Sequence, residues 1–157
     1  GATFKISFPV GLHSFPPGEI YKPEKVQQQT VPVKKEKVRR SFLMIEDNEE
    51  QLAYIREHVS EQFQVYEARD GQTGLEYAIK YQPDVILTDL MMPRMDGEHL
   101  ISTMRQDPSL SQVPIAIMTG QPLATAAPAL EVSARLGKPV ELDELMTVVH
   151  RFADRPR

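Results

Sequence analysis

Asp84-Val85-Ile86-Leu87-Thr88-Asp89-Leu90-Met91-Met92-Pro93 is the stretch that decides the fold of this 157-residue chain. An apolar run of this length, entered from Pro83, reads as a central strand of a parallel sheet, buried on both faces. Such a strand cannot hold a bare carboxylate in its interior, so Asp89 is expected to emerge at its carboxyl end. Open α/β sheets place their ligands there. An earlier apolar run, Phe42-Leu43-Met44-Ile45, leads straight into Glu46-Asp47. If the two strands are neighbours, three carboxylates converge on one spot. Like charges packed together destabilise one another, so the cluster must bind a cation or take up protons.

Two more landmarks follow. Ile115-Ala116-Ile117-Met118-Thr119 is a short apolar strand ending in a hydroxyl, and Leu136-Gly137-Lys138-Pro139 places a lysine before a proline. The acidic pair, the lone Asp, the Thr and the Lys stand at successive strand ends. In that order they resemble the receiver domain of two-component response regulators, over roughly residues 40–154. The segment from Asp89 through Met92-Pro93-Arg94-Met95-Asp96-Gly97 carries the most specific part of the resemblance.

The resemblance implies a flavodoxin-like (βα)5 α/β fold, a doubly wound parallel sheet of strand order 2-1-3-4-5. Asp89 would accept a phosphoryl group from a phosphohistidine, and Mg²⁺ would supply positive charge at the site. Asp47, Asp89 and the backbone carbonyl of Met91 would be its direct ligands, with Glu46 acting through a water. Lys138 and Thr119 would contact phosphoryl oxygens. The Lys138–Pro139 bond is expected to be cis, aiming the lysine inward. The implied partner is a histidine kinase or a histidine phosphotransfer domain, homodimerisation is left open, and no turnover of outside substrates is expected.

Taken singly, none of these residues is diagnostic. A strand-end Asp is more often a cap or turn residue than a nucleophile, Thr119 is an ordinary strand residue, and Lys138 an ordinary surface cation. Their joint order carries the reading. Asp96-Gly97 reads as a helix start rather than a metal site, and the cluster Met91, Met92 and Met95 belongs largely to the family signature. Four histidines (His13, His58, His99, His150) are scattered without metal-ligand spacing, and the lack of cysteine removes disulfides and thiolate chemistry.

Hydrophobic residues at 41% and charged residues at 25% suit an ordinary globular domain. No apolar run approaches the roughly 18 residues needed to cross a bilayer, and no signal-peptide pattern stands at the start, so a cytoplasmic location without membrane contact is expected. Charge is uneven: residues 1–40 carry eight Lys/Arg and three Asp/Glu, the remainder ten and nineteen. A domain so acidic is a poor nucleic-acid binder, since phosphate contacts dominate such affinity.

The chain reads as three parts. Residues 1–14 contain the alternation Gly1-Ala2-Thr3-Phe4-Lys5-Ile6-Ser7-Phe8-Pro9, which resembles the last strand of a histidine-kinase ATP-binding domain; Val10-Gly11-Leu12-His13-Ser14 is similar to its tail in hybrid kinases. Residues 15–39 have linker composition, with Pro16-Pro17-Gly18, Gln27-Gln28-Gln29 and Lys34-Lys35-Glu36-Lys37. Residues 40–157 form the receiver-like part. Within it the expected strands are 41–46, 64–68, one ending at Asp89 and one ending at Thr119. The first helix opens near Asn48, capped by Asp47 or Asn48, and runs through Leu52, Ile55, Val59 and Phe63. The second runs through Leu75, Ala78 and Ile79, the third from Asp96-Gly97 to about Gln106. A final helix starts near Val140 and carries Leu142, Leu145, Val148, Val149 and Phe152.

The segment between Thr119 and Lys138 departs from the family pattern. Pro122 and Pro128 interrupt it, and Ala124-Thr125-Ala126-Ala127 offers little core. A helix-interior proline costs on the order of 3 kcal/mol, so the usual fourth helix is expected to be truncated, displaced or partly disordered. Gly120 replaces the usual Ala. Arg135 stands where the family carries Tyr or Phe, and is expected to pair with Glu131 or Glu141. The usual dimer surface is thereby put in doubt. Two other functions compete: a receiver that acts by protein contact alone, and the receiver of a DNA-binding regulator. An Asp-based phosphatase is disfavoured, because Asp89-Leu90-Met91 lacks the Asp-x-Asp spacing of those enzymes.

Overall fold

Alternation along each buried strand sends successive side chains to opposite faces, and in the computed structural model this yields two separate cores. Phe42, Met44, Val85, Leu87, Ala116 and Met118 face one side, while Leu43, Ile45, Ile86, Ile115 and Ile117 face the other. The structure describes residues 39–156. The elements run β1 (Arg40–Ile45), α1 (Glu49–Val59), β2 (Phe63–Ala68), α2 (Gly71–Tyr81), β3 (Val85–Asp89), α3 (Gly97–Gln106), β4 (Ile115–Thr119), β5 (Ala134–Gly137) and α4 (Leu142–Ala153). All five strands pair in parallel in the order β2-β1-β3-β4-β5, as expected. The kinase-like stretch 1–14 and nearly all of the linker 15–39 lie outside the described residues.

Helices α1 and α4 cover the first core with Leu52, Ile55, Leu145, Val149 and Phe152; α2 and α3 cover the second with Ala78, Leu100, Ile101 and Met104. Right-handed crossovers demand this split, because the chain leaves β1 toward β2 and then reverses through β3 toward β5. The reversal leaves a crevice outside the carboxyl ends of β1 and β3, where Glu46, Asp47 and Asp89 stand. Asn48, rather than Asp47, caps α1, its Oδ1 accepting the Gln51 N–H at 3.0 Å. Asp70 and Asp96 cap α2 and α3 in the same way.

Three expectations need correction. Helix α1 ends at Val59, and Phe63 opens β2 instead of closing the helix. Ile79 is 48% exposed, because α2 turns its small residues Gly71, Gly74 and Ala78 to the sheet. The eroded helix expected between β4 and β5 is a matter of agreement: among the described residues there are four helices and none in that segment. Residues 120–133 form a succession of turns between β4 and β5, with Ala126 and Ala127 buried. Finally, Arg135 pairs with no carboxylate among the described residues; its guanidinium donates to the carbonyl oxygens of Ala126, Ala127 and Leu130.

Candidate functional site

Asp89 is the last residue of β3 and is 4% exposed. Its two oxygens have different partners: Oδ1 accepts the Met91 N–H at 3.0 Å, and Oδ2 accepts from Lys138 Nζ at 2.7 Å. Glu46, one residue beyond β1, is 1% exposed; its Oε1 accepts the Asn48 N–H and its Oε2 accepts from Lys138 Nζ, each at 3.0 Å. Asp47 lies beside them at the exposed rim. One carboxylate oxygen from each of Glu46, Asp47 and Asp89 falls within 4.8 Å of the others. A single ammonium therefore bridges the two buried carboxylates of a three-carboxylate cluster.

Burial pushes the Glu46 carboxyl above its ordinary pKa, and the Asp89 charge adds to the rise. The Asn48 N–H and Lys138 oppose it without cancelling it. Burial acts against the Lys138 charge, but bonds to Asp89 and Glu46 outweigh it and hold this lysine above its ordinary value. Two carboxylates and one ammonium, with a third carboxylate at the rim, leave excess negative charge. Hard oxygen donors with an open, wet side suit a small divalent ion such as Mg²⁺.

The remaining candidates come from β4 and β5. Thr119 ends β4 and is 1% exposed; its hydroxyl oxygen accepts the Gln121 N–H at 3.0 Å, so the O–H is left for another acceptor. Lys138 follows β5, its N–H bonded to the Thr119 carbonyl at 2.8 Å, and the Lys138–Pro139 bond is cis. Met91 stands just past the strand end, its side chain 66% exposed. Glu46, Asp47, Asp89, Met91, Thr119 and Lys138 thus all lie at the carboxyl end of the sheet.

Two contributors were not legible in advance. Asn48 reads as a helix cap, yet its N–H also holds Glu46. Gly97 reads as a helix start, yet a Cβ there would collide with the Asp89 carbonyl oxygen and lie 2.8 Å from Leu90 Cα. Its N–H closes the loop onto the Leu90 carbonyl at 3.0 Å. Gly97→Ala is expected to lower stability by about 1–3 kcal/mol through this overpacking, read from the urea unfolding midpoint. An unchanged midpoint would mean that the loop yields freely and does not position Asp89.

The chain matches the response regulator receiver domain family over residues 42–150. It belongs to that family. Among relatives, this receiver is 38% identical over 80 residues to the sensor histidine kinase TmoS of Ectopseudomonas mendocina, covering 51% of this chain and 8% of that protein. It is likewise 38% identical over 79 residues to the hybrid signal transduction histidine kinase D of Dictyostelium discoideum, covering 50% of this chain and 5% of the relative. The chain thus spans under a tenth of the length of either. Among solved structures, a putative response regulator from Chloroflexus aurantiacus superposes with a TM-score of 0.65 at 28% identity, covering 74% of this chain and all of the other. The receiver domain of the sensor histidine kinase PA1611 from Pseudomonas aeruginosa, described with a magnesium ion coordinated in its active-site cleft, superposes at 0.68. Its identity is 23%, with coverage of 74% and 99%, a likeness that establishes the shared receiver fold.

Proposed function

We propose that this receiver accepts a phosphoryl group on Asp89 from a phosphohistidine of a histidine kinase or a histidine phosphotransfer domain. The observation that carries the reading is the bridge of Lys138 between Asp89 and Glu46, with Asp47 alongside. It pairs a strand-end carboxylate with a fixed cation inside a cluster that still lacks positive charge. An Asp89 oxygen attacks phosphorus as the P–N bond of the donor imidazole breaks, and the bonding pair returns to the imidazole nitrogen. The product is an acyl phosphate, which water later hydrolyses to inorganic phosphate and free Asp89.

Each chain residue has a part. Lys138 turns its ammonium from Asp89 toward an incoming phosphoryl oxygen, and Thr119 donates its O–H to a second one. Glu46, Asp47, Asp89 and the Met91 carbonyl would hold Mg²⁺, which when bound offsets the negative charge of both reactants. The receiver is proposed to belong to a cytoplasmic hybrid sensor kinase, with residues 1–14 closing a kinase ATP-binding domain and 15–39 linking it to residues 40–157.

The test uses phosphoramidate as a small phosphoryl donor. With Mg²⁺, the intact mass is expected to rise by one phosphoryl group, removable by hydroxylamine. With EDTA the adduct should be lost, because Lys138 alone then leaves the cluster's excess negative charge facing the incoming phosphoryl group. The helix-free segment 120–133 favours a second reading, a receiver that works by contact alone. Absence of the adduct under saturating Mg²⁺ would decide for that second reading.

A further inference from the structure

The segment that replaces a helix between β4 and β5 is held by two arginines whose hydrogen-bond acceptors among the described residues are all backbone carbonyls, with the Glu131 charge also acting on Arg105. Arg135, in β5 opposite Ile117, donates through Nε to Ala126 at 3.1 Å, and through one terminal nitrogen to Ala127 at 3.2 Å and Leu130 at 3.4 Å. Arg105, at the end of α3, donates through Nε to the Glu131 carbonyl at 3.0 Å. One of its terminal nitrogens reaches the carbonyls of Leu110, Ser111 and Val113 at 2.9–3.2 Å. Within the Arg135 clamp Ala127 is 6% exposed with φ 47°, a left-handed backbone that a non-glycine residue keeps only where its surroundings over-determine it.

The site end of the segment is built differently. Thr119 is joined to the segment through the Gln121 N–H, and between them stands Gly120, where a Cβ would meet nothing within 4 Å. Residues 120–125 are exposed. A movement of the Thr119 hydroxyl therefore meets an open glycine before it reaches the clamped part. Releasing Arg135 would leave three carbonyls without this donor and a guanidinium without its acceptors, which is costly compared with rotating two residues at an open turn.

We propose that Arg105 and Arg135 hold residues 126–133 in one conformation, so that the β5 edge of this receiver is the same whether or not Asp89 is loaded. A partner that distinguishes the loaded state must then read the cleft rim at Met91 and Gln121, and a partner on the β5 edge binds in both states. Only the ligand-dependent part of this proposal rests on Asp89 being the phosphoacceptor.

The test uses the full 157-residue chain labelled with ¹⁵N, with Mg²⁺ and beryllofluoride as the phosphoryl mimic. In the wild type, bound beryllofluoride should give its own ¹⁹F signal, with amide shifts at Asp89, Met91, Thr119 and Gln121 and none at Ala126, Leu130 or Val132. Without ligand, Arg135→Ala should raise amide hydrogen exchange at Ala126 and Leu130 by about tenfold or more, since charged donors to these carbonyls are lost. Arg135→Lys, which keeps the stem and charge but not the fork, should fall between them and guards against a misfolded Ala variant. Shifts at Ala126–Val132 in the wild type as large as that at Thr119, or unchanged exchange on removing Arg135, would overturn the clamp. If no bound ¹⁹F signal appears, the phosphoacceptor reading fails, while the exchange measurement still judges the clamp by itself.

Discussion

Asp89→Asn is expected to abolish the hydroxylamine-labile phosphoryl adduct while leaving the receiver folded. The amide oxygen of Asn can still accept the Met91 N–H that now bonds Asp89 Oδ1, and Lys138 keeps its 3.0 Å bond to Glu46. The substitution also removes one negative charge from a cluster with an excess of them. The stability change should therefore stay within about 1 kcal/mol, small for a site this buried. Intact-mass analysis after phosphoramidate treatment, paired with urea unfolding, reads both quantities. A persisting adduct would move the phosphoacceptor to another carboxylate, with Asp47 at the exposed rim the first to examine. Loss of the adduct together with loss of the folded baseline would leave the chemistry undecided, and Asp89→Glu then serves as the folded comparison.

Lys138→Met is expected to have the largest effect on stability. It keeps most of the side-chain volume but leaves Glu46 and Asp89, 1% and 4% exposed, without their shared cation. Breaking a buried pair on one side costs about 3 kcal/mol at neutral pH, a fall of roughly 10 °C in Tm for a domain of this size. The loss should shrink with acidification. In the variant Glu46 loses the lysine that opposes the rise burial causes in its folded-state pKa. Its contribution is then most favourable below the ordinary carboxylate range and fades as pH rises through the raised value. In the wild type Glu46 already follows this sign, while the raised Lys138 pKa stabilises the fold until pH climbs past it. Mg²⁺ should restore much of the loss at neutral pH by replacing the missing charge. Calorimetric Tm values across pH, with EDTA and with Mg²⁺, test all three points. A Tm deficit that is independent of pH would mean that Lys138 stabilises through packing of its stem.

How far the sequence was legible depends on whether a residue's role is local. Strand ends follow from apolar runs that stop at a charge, so Glu46, Asp89, Thr119 and Lys138 were readable, and strand order followed from the family resemblance. Pro122 and Pro128 argued against a helix, and among the described residues none forms there. Tertiary partners were another matter. Arg135 was expected on a carboxylate because charge is visible in a sequence, whereas the carbonyls of Ala126, Ala127 and Leu130 become acceptors only once the turns exist. Ile79 misled for a related reason. Helical spacing alone does not reveal that α2 approaches the sheet on glycines, with a Cβ at Gly74 coming within 2.6 Å of Ile45 Cδ1. The close fit of Gly97 against the Asp89 carbonyl is invisible for the same cause.

The bridge from Glu46 to Lys138 spans 92 residues of chain, and this distance has a meaning for how the protein is made. All three carboxylates leave the ribosome well before the lysine that neutralises two of them. A nascent chain ending before β5 holds an acidic crevice that repels its own walls, and the central pair β1–β3 must close against that repulsion. Emergence of Lys138 supplies the missing counter-charge, so the same side chain that would receive a phosphoryl oxygen in the finished receiver is also the late fastener of its fold.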